Sequence, residues 1–547
     1  MSSVSNRTMF RFGYGLPEMT IPHVLADMAA RHGDKVFLTA MADGRRFTYR
    51  DIDLLSNRIA NRLLALGLGR GSHVAVMMEN CPEQVLLYFA IGKIGGVAVP
   101  FNTAARGKLI EYFLTQSDSV AVVCEAEFTP FLATALPAAP AIRTMIVLGE
   151  GDCPALPEGV AVGSFAALLE GGSDAPPGVP VRFDDLAMLL YTSGTTGPSK
   201  GNMMVQATVV QFGMTTAESH GYHSTDVLYI CLPLNHLTGY VCALWGALIA
   251  GGSVAMSRRF SASRYWSEVR ASGATMTNLM GSMAHILWTQ EPRPDDRDNR
   301  LRGCLMTPVP AFAREWQERF GSRVLSSYGQ SDFISASVYS LADPEAKLGS
   351  SGRPRAGVEL RIVDDNDEEL PAGTVGELVI RTNNPWSSSQ GYYKMPQATL
   401  EAGRNQWWHT GDLAHLDEDG YLWFADRKKD AIRRRGENIS AYEVEDVIIG
   451  HPAVSEVAVY AVPSEMSEDE VCATVVRKPD AALTEAALIE YCIVNMAHYM
   501  VPRFIHFADA LPRTETQKVQ KVELRRFATE HREALWDRDV AGIVVKR

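Results

Sequence analysis

The chain has 547 residues, too many for a single hydrophobic core, so roughly two to four domains or subdomains are expected. Hydrophobic residues make up 46% and charged residues 21%, which is ordinary globular material and excludes a disordered or membrane-dominated chain. The net charge of −12, from 52 basic against 64 acidic residues, argues against a broad nucleic-acid surface but not against a local basic patch for phosphates.

The first hundred and fifty residues alternate helix and strand patterns. Asp51 to Leu66 puts Ile52, Leu55, Ile59, Leu63 and Leu66 on one face and stops at Gly67. Val74 to Met77 reads as a strand, Pro82 to Ile94 as a helix, and Val97 to Val99 as the next strand. Val120 to Val123 and Met145 to Val147 repeat the pattern, which predicts parallel, doubly wound sheets buried on both faces. Gly171 to Pro180 is a linker, with three glycines and three prolines. A second alternating series runs from Leu186 to about Ser327, with a helix expected over Met203 to His220. Leu237 to Ser257 carries no charge and is long enough on paper to span a membrane. Gly251-Gly252 interrupts it, so it reads as a buried helix over about Gly239 to Ala250 followed by a strand. From Gly349 to Tyr421 the strands are closely set and joined by turn residues, a β-rich subdomain. The last stretch, from about Lys429, is a mixed α+β unit.

Several stretches carry chemistry. Tyr191-Thr-Ser-Gly-Thr-Thr-Gly-Pro-Ser-Lys-Gly201 follows an apolar strand, Leu186 to Leu190. Its glycines let backbone amides turn toward phosphate oxygens. Thr192, Ser193, Thr195 and Thr196 add hydroxyl donors around Gly194, and Lys200 is a point charge for outer phosphates. The spacing is not that of a P-loop. Ser326-Ser-Tyr-Gly-Gln-Ser-Asp332 offers a tyrosine face for a base, and a hydroxyl and carboxylate suited to Mg²⁺ beside polyphosphate. His409-Thr-Gly-Asp412 sets a carboxylate after a turn, suited to ribose hydroxyls. Pro233-Leu-Asn-His236 precedes the buried helix, where a histidine could gate a pocket. Asp426-Arg-Lys-Lys-Asp430 and Arg433-Arg-Arg-Gly-Glu-Asn438 would otherwise read as solvated charge runs. Leu511 to Lys518 ends in a lysine suited to bridging a carboxylate and an α-phosphate. The eight cysteines form no Cys-x-x-Cys pair, so neither a zinc site nor a disulfide framework is expected, and a reducing cytoplasm fits. The N-terminus has no apolar core of a signal peptide.

In order along the chain, these stretches resemble the motifs of the ANL superfamily of adenylate-forming enzymes, and the resemblance spans essentially the whole chain. It implies an α/β fold: a large N-terminal domain of doubly wound sheets plus a β-rich subdomain over residues 1–428, and a small, mobile α+β C-terminal domain over 429–547. It implies an AMP-forming carboxylate–CoA ligase with ATP, Mg²⁺ and CoA. A carboxylic acid forms an acyl-adenylate, and the CoA thiol then displaces AMP. By the resemblance Lys518, Thr192, His236 and Asp332 form the catalytic set. Thr192 to Thr196, Lys200, Tyr328, Gly329, Gln330, Ser331, Asp412, Arg427 and Lys518 hold the nucleotide, and Asp332 the metal. Arg434, Arg435, Gly436 and Glu437 line the CoA tunnel, and Lys429 is the hinge. The acyl pocket falls to His236, Tyr240, Trp245, Met280, Met306 and Thr307, whose bulk favours a compact acid. The chain departs from the family wording at Ser331, Asp332, Arg435 and Gln517, and at Leu305-Met-Thr-Pro308. The wording near Arg435 to Ser440 and Asn495 to Pro502 is nearest to carnitine/crotonobetaine-CoA ligases. Two alternatives stand beside this reading: transfer to a carrier-protein thiol, and a catalytically silent relative that kept the fold. No nucleic acid or stable membrane insertion is expected; a homodimer is compatible with the sequence, but oligomeric state is not legible.

Overall fold

The computed structural model describes residues 13–192, 198–427, 431–465, 468–479, 481–513 and 519–546. The chain forms two compact units. The first runs through Thr103, then Leu114–Leu190 and Gly201–Asp426; the second gathers Ala104–Phe113, Tyr191–Lys200 and the chain from Arg427 onward.

The first unit is built on two large sheets, as the alternating pattern predicts. One has seven strands, and its parallel core pairs His73–Met77 with Val97–Pro100 on one side and Ala121–Glu125 on the other. Thr144–Leu148 and Ala161–Ser164 extend one edge, and Leu186–Thr192 and Lys200–Val205 the other. The second has nine strands, with Val227–Ile230, Met276–Met280 and Gly303–Thr307 side by side and parallel at its centre. Apolar strands of this kind pack both faces, and they do so here: Ile230 and Leu305 enter one core, Tyr229 and Met306 another. A four-stranded antiparallel sheet, starting with Val358–Val363 and Gly376–Thr382, is the expected β-rich subdomain.

Local chemistry sets the helix boundaries. Thr48 and Asp51 cap the helix Tyr49–Ala65 reciprocally, at 3.0 Å and 2.8 Å. Pro82 opens the helix Pro82–Lys93, which is buried along its whole length. Its one cation, Lys93, pairs with Asp53 and donates to Asn57 Oδ1, each at 2.6 Å. One boundary differs from the periodicity. The helix expected from Met203 begins only at Gln206, because Lys200–Val205 joins the seven-stranded sheet as its edge strand. Gln206 is fully buried and bridges Ile21 N–H and the Gly92 carbonyl, which pins the helix start. The charge-free stretch after His236 is a π-helix over Thr238–Trp245, continued as an α-helix over Gly246–Ala250 and a strand over Ser253–Met256. No helix among the described residues is long and apolar enough to cross a membrane.

In the second unit a hairpin, Ala431–Arg434 with Glu437–Ser440, leads into the helix Ala441–Ile449. A four-stranded sheet follows, with the antiparallel pair Val454–Pro463 and Asp469–Arg477 at one edge. The helix Glu485–Asn495 covers it, and Thr484 caps that helix through Ala487 N–H.

Candidate active site

Tyr328 to Asp332 forms the tip of a tight hairpin between Arg323–Gln330 and Phe333–Tyr339. Gly329 is dictated by that turn: a Cβ there would sit 2.8 Å from Ser335 N and 2.9 Å from the Phe333 carbonyl oxygen. The hairpin aims two side chains at one carboxylate. Tyr328 OH donates to Asp412 Oδ2 at 2.6 Å, and Gln330 Nε2 donates to the same oxygen at 2.9 Å and to the Thr410 carbonyl at 2.9 Å. Asp412 is 5% exposed and also receives shape from its own turn, its N–H donating to Thr410 Oγ1 at 3.1 Å. A carboxylate held this way has a fixed orientation at no further entropic cost when it meets paired hydroxyls. Tyr328 itself is 6% exposed and packs in the core of the β-rich subdomain. Its ring is thus a supporting wall, and its hydroxyl an orienting group for Asp412. Ser331 is half-buried at the turn.

Asp332 is also nearly buried, at 5%. Tyr392 hydrogen-bonds it; burial, then the Asp332 charge, push the Tyr392 phenol far above its ordinary range. Ser389 N–H donates to the Asp332 carbonyl at 2.9 Å, and Ser389 Oγ to Asn202 Oδ1. Sequence reasoning missed Asn202, Ser389 and Tyr392. The available signal was Gly391-Tyr-Tyr393 just ahead of Pro396, the first residue of a helix. Asn80 was missed too. Buried at 5%, it donates to the Leu232 carbonyl at 3.0 Å and accepts from Leu234 N–H at 2.9 Å, so it fixes the loop that presents His236. His236 is half-buried at the start of the π-helix. Gly239 lets the helix turn close against that loop: a Cβ would lie 2.3 Å from the Pro233 carbonyl oxygen.

The expected acyl-pocket residues divide by strand face. Asn278 and Met280 alternate with Leu279 along Met276–Met280, and Thr307 pairs with Met280 across the sheet. Gly281 lies against Pro308, where a Cβ would meet it at 3.2 Å. Met306 faces the other way, fully buried with Trp266 and Trp316 in the second core. Its expected place in the pocket is therefore corrected. Trp245 is fully buried too, edge-on to Phe89 at 5.6 Å and against Gly213. It is core rather than lining. Tyr240, 2% exposed, stands edge-on to Tyr88 at 5.2 Å.

Of the phosphate-loop residues, Thr192 and Lys200 end and begin the two strands that flank it, with Thr192 Oγ1 3.5 Å from the Lys200 carbonyl. Ser193, Gly194, Thr195 and Thr196 lie outside the described residues, as do Lys429 and Lys518, and nothing is described of the Arg427 side chain. Within the second unit, Tyr112 OH donates to the Ser199 carbonyl at 2.6 Å, and Ser199 N–H to Glu443 Oε1 at 2.9 Å. Burial raises the Glu443 pKa against the pull of the Ser199 Oγ and N–H, both of which donate to Glu443 Oε1. In the hairpin Ala431–Ser440, Arg435 and Gly436 form a two-residue turn with φ of 53° and 84°. Arg435 is exposed there, and Gly436 N–H donates to Glu468 Oε2 at 3.1 Å. Glu437 pairs across the turn with Arg434. Arg434, expected at CoA, is 2% exposed. Its Nε meets Glu470 at 2.6 Å and its Nη1 donates to the Tyr499 and Val501 carbonyls. Burial pushes its pKa down to about 10, with Glu470 opposing. The structure gives Arg434 an internal role that ties the hairpin to its own unit.

Comparison with known proteins finds relatives along most of the chain. The AMP-binding enzyme family matches residues 25–393, and the AMP-binding enzyme C-terminal domain matches residues 443–518. A crotonobetaine/carnitine–CoA ligase from Salmonella heidelberg is 31% identical over 507 residues, covering 91% of this chain and 97% of the relative. Among solved structures, o-succinylbenzoate CoA synthetase from Bacillus subtilis, bound with its product analogue, superposes with a TM-score of 0.79. It is 25% identical and covers 93% of this chain and 98% of that one. ATP-bound MatB from Rhodopseudomonas palustris gives a TM-score of 0.68 at 29% identity, covering 93% and 99%. The two family matches, in the order of the motifs, make this chain a member of the AMP-binding enzyme family, the ANL-superfamily acyl-CoA synthetases.

Proposed function

We propose that this chain is an ATP-dependent acyl-CoA synthetase that activates a compact carboxylic acid as its acyl-adenylate and transfers the acyl group to CoA. The observation that carries the reading is the Asp412 carboxylate, buried and oriented by Tyr328 and Gln330 on one hairpin. That is a pre-organised acceptor for the two ribose hydroxyls of ATP. A carboxylate oxygen of the acid attacks the α-phosphorus and pyrophosphate leaves; the CoA sulfur then attacks the acyl carbon and AMP leaves. The protein's share is positioning and charge neutralisation. Thr192 and Lys200, at the strand ends flanking the loop, are assigned to the phosphates. Lys518 is assigned to the meeting of carboxylate and α-phosphate. Arg427 is assigned to the ribose, and Lys429 to a hinge that exchanges Lys518 for the CoA-facing hairpin between steps. Arg435, Gly436 and Glu437 are assigned to CoA, and His236 to the pocket mouth.

Among the described residues no cluster of three or more His, Cys, Asp or Glu side chains would hold a metal alone. Mg²⁺ does not need one, since it keeps waters and phosphate oxygens and takes one or two carboxylates. Asp332, nearly buried and steadied by Tyr392, fits that requirement and would hold the ion. The ion would supply neutralisation of polyphosphate charge. A homodimer and a cytoplasmic location remain compatible with this reading. ATP–pyrophosphate exchange across a panel of acids tests the first half-reaction, and CoA against a carrier-protein thiol in one assay tests the acceptor. Absence of exchange with every acid would favour the silent relative.

A further inference from the structure

We infer that Tyr392, Ser389 and Asn202 are positioning residues for the first half-reaction: a strap, Ser389 to Tyr393, ties the Asp332 carboxylate to the strand that follows the phosphate loop. The inference rests on the proposed adenylation and on the assignment of Asp332 to Mg²⁺, and adds the residues that keep that carboxylate in place.

Asn202, Asp332 and the strap all belong to the first unit. The edge strand of a sheet leaves a row of N–H and C=O groups without a strand partner. Along the edge strand Lys200–Val205 the strap meets that row. Met203 N–H donates to the Gly391 carbonyl at 2.9 Å, Gln390 N–H to the Met203 carbonyl at 2.9 Å, and Tyr393 N–H to the Gly201 carbonyl at 2.8 Å. Asn202 and Tyr392 thus stand opposite each other as an antiparallel pair. The strap also grips Asp332, by main chain at one end and by side chain at the other. Ser389 N–H donates to the Asp332 carbonyl at 2.9 Å, and the Tyr392 phenol bonds the Asp332 carboxylate. Ser389 Oγ donates to Asn202 Oδ1 and accepts from Gly391 N–H at 3.0 Å. Asn202 is fully buried, and Ser389 and Tyr392 nearly so, so bulk water competes little for these bonds.

The strap is itself pinned. Gly391 takes a φ of 98° and lies against Thr399, where a Cβ would come within 2.5 Å of Cγ2. Tyr392 N–H donates to Thr399 Oγ1 at 2.9 Å, and the Tyr392 ring stands 5.7 Å from that of Trp408. Just beyond the strap, Lys394 is held at a φ of 56° with its Nζ on Asp118 at 2.6 Å. Such a backbone persists where its surroundings over-determine it. Closing a sheet edge is the plain alternative, and main-chain bonds alone would do that. What that alternative does not require is a phenol on the one carboxylate assigned to the ion. The phenol stays neutral, since burial and then the Asp332 charge oppose its ionisation, so it remains a donor. A donor on a carboxylate fixes its orientation and takes up one lone pair, leaving the others for Mg²⁺ or a water bound to it. Outer partners of this kind are worth roughly 10- to 100-fold in metal affinity.

The test measures ATP binding to the full chain by calorimetry, in Mg²⁺ and in EDTA, and takes the ratio of the two affinities. Tyr392→Phe keeps the ring against Trp408 and loses only the hydroxyl. It is expected to cut that ratio by roughly 10-fold or more while the affinity in EDTA stays at the wild-type value. Ser389→Ala is expected to act in the same direction by a smaller factor. In ATP–pyrophosphate exchange, Tyr392→Phe should raise the Mg²⁺ concentration for half-maximal rate, and saturating Mg²⁺ should restore most of kcat. On an Asp332→Asn background Tyr392→Phe should add nothing, because it acts through that carboxylate. Equal losses in Mg²⁺ and EDTA would make the strap an edge cover only and overturn the inference. So would an unchanged ratio in Tyr392→Phe where Asp332→Asn lowers it. An unchanged ratio in Asp332→Asn would bring down the Mg²⁺ assignment and the inference with it. Absence of ATP binding by the wild type would bring down the adenylation reading itself, a different result from binding that is indifferent to Tyr392.

Discussion

Arg435 is held in a conformation that glycine tolerates and arginine resists, so Arg435→Gly should stabilise the second unit. With φ of 53° ahead of Gly436 at 84°, Arg435 occupies the first position of a hairpin turn that prefers residues free to take positive φ. A side chain there costs about 1–2 kcal/mol. Glycine gives some of that back, because it adds about 0.4–1 kcal/mol of unfolded-state entropy. The net gain should be about 0.5–1 kcal/mol, or about 2–5 °C in the transition of a unit this size. No packing is lost, since Arg435 is exposed, and its repulsion of the buried Arg434 is relieved. Thermal unfolding of Arg435→Gly, Arg435→Asn and Arg435→Ala separates the causes. Glycine and asparagine should stabilise, while alanine, which keeps the backbone penalty, should not. The same series reads the CoA role. If the charge attracts CoA phosphates, all three variants raise the KM for CoA and leave that for ATP fixed. If only the width of the path matters, glycine alone changes it. A glycine variant no more stable than wild type would refute the strain argument, and equal shifts in both KM values would refute the CoA assignment.

Lys518→Ala should slow adenylation by roughly 100- to 1,000-fold, the cost of one lost transition-state charge stabiliser, yet convert supplied acyl-AMP and CoA at near wild-type rate. Single-turnover kinetics of each step decides, and a variant that fails both alike makes the residue structural. His220 gives a pH signature. Its folded pKa is lowered to about 4 against 6.5 unfolded, so the folded state is neutral where the unfolded state binds a proton. Its contribution is complete above about 6.5 and is lost as pH falls toward about 4, at a limiting slope of about 1.4 kcal/mol per pH unit. Urea midpoints between pH 7 and pH 4 should fall less steeply for His220→Phe, and parallel profiles would contradict this. Met306→Ala should cost about 2–5 kcal/mol of stability as a core cavity without changing which acids are used, whereas Thr307→Val should shift acid preference with little loss of stability. The opposite pattern in denaturation and exchange assays would return Met306 to the pocket.

The sequence alone was enough for the family, through the motifs and their order. A strand followed by hydroxyls, glycines and a lysine, a tyrosine and an acid after another strand, and a late lysine loop are legible because each depends on residue type and near neighbours. The alternation of helix and strand also carried the parallel sheets, since burial on both faces writes itself into apolar runs such as Val74 to Met77. What the sequence could not decide was direction and partnership. Met306 and Thr307 are adjacent and equally plausible pocket residues, yet the pleat sends one into a tryptophan-lined core and the other to the opposite face. Arg434 and Arg435 look alike in a charge run; one is buried on Glu470, which lies 36 residues away, and the other is exposed on a turn. Lys200–Val205 took a strand where its pattern also suited a helix, because a sheet edge was waiting beside it.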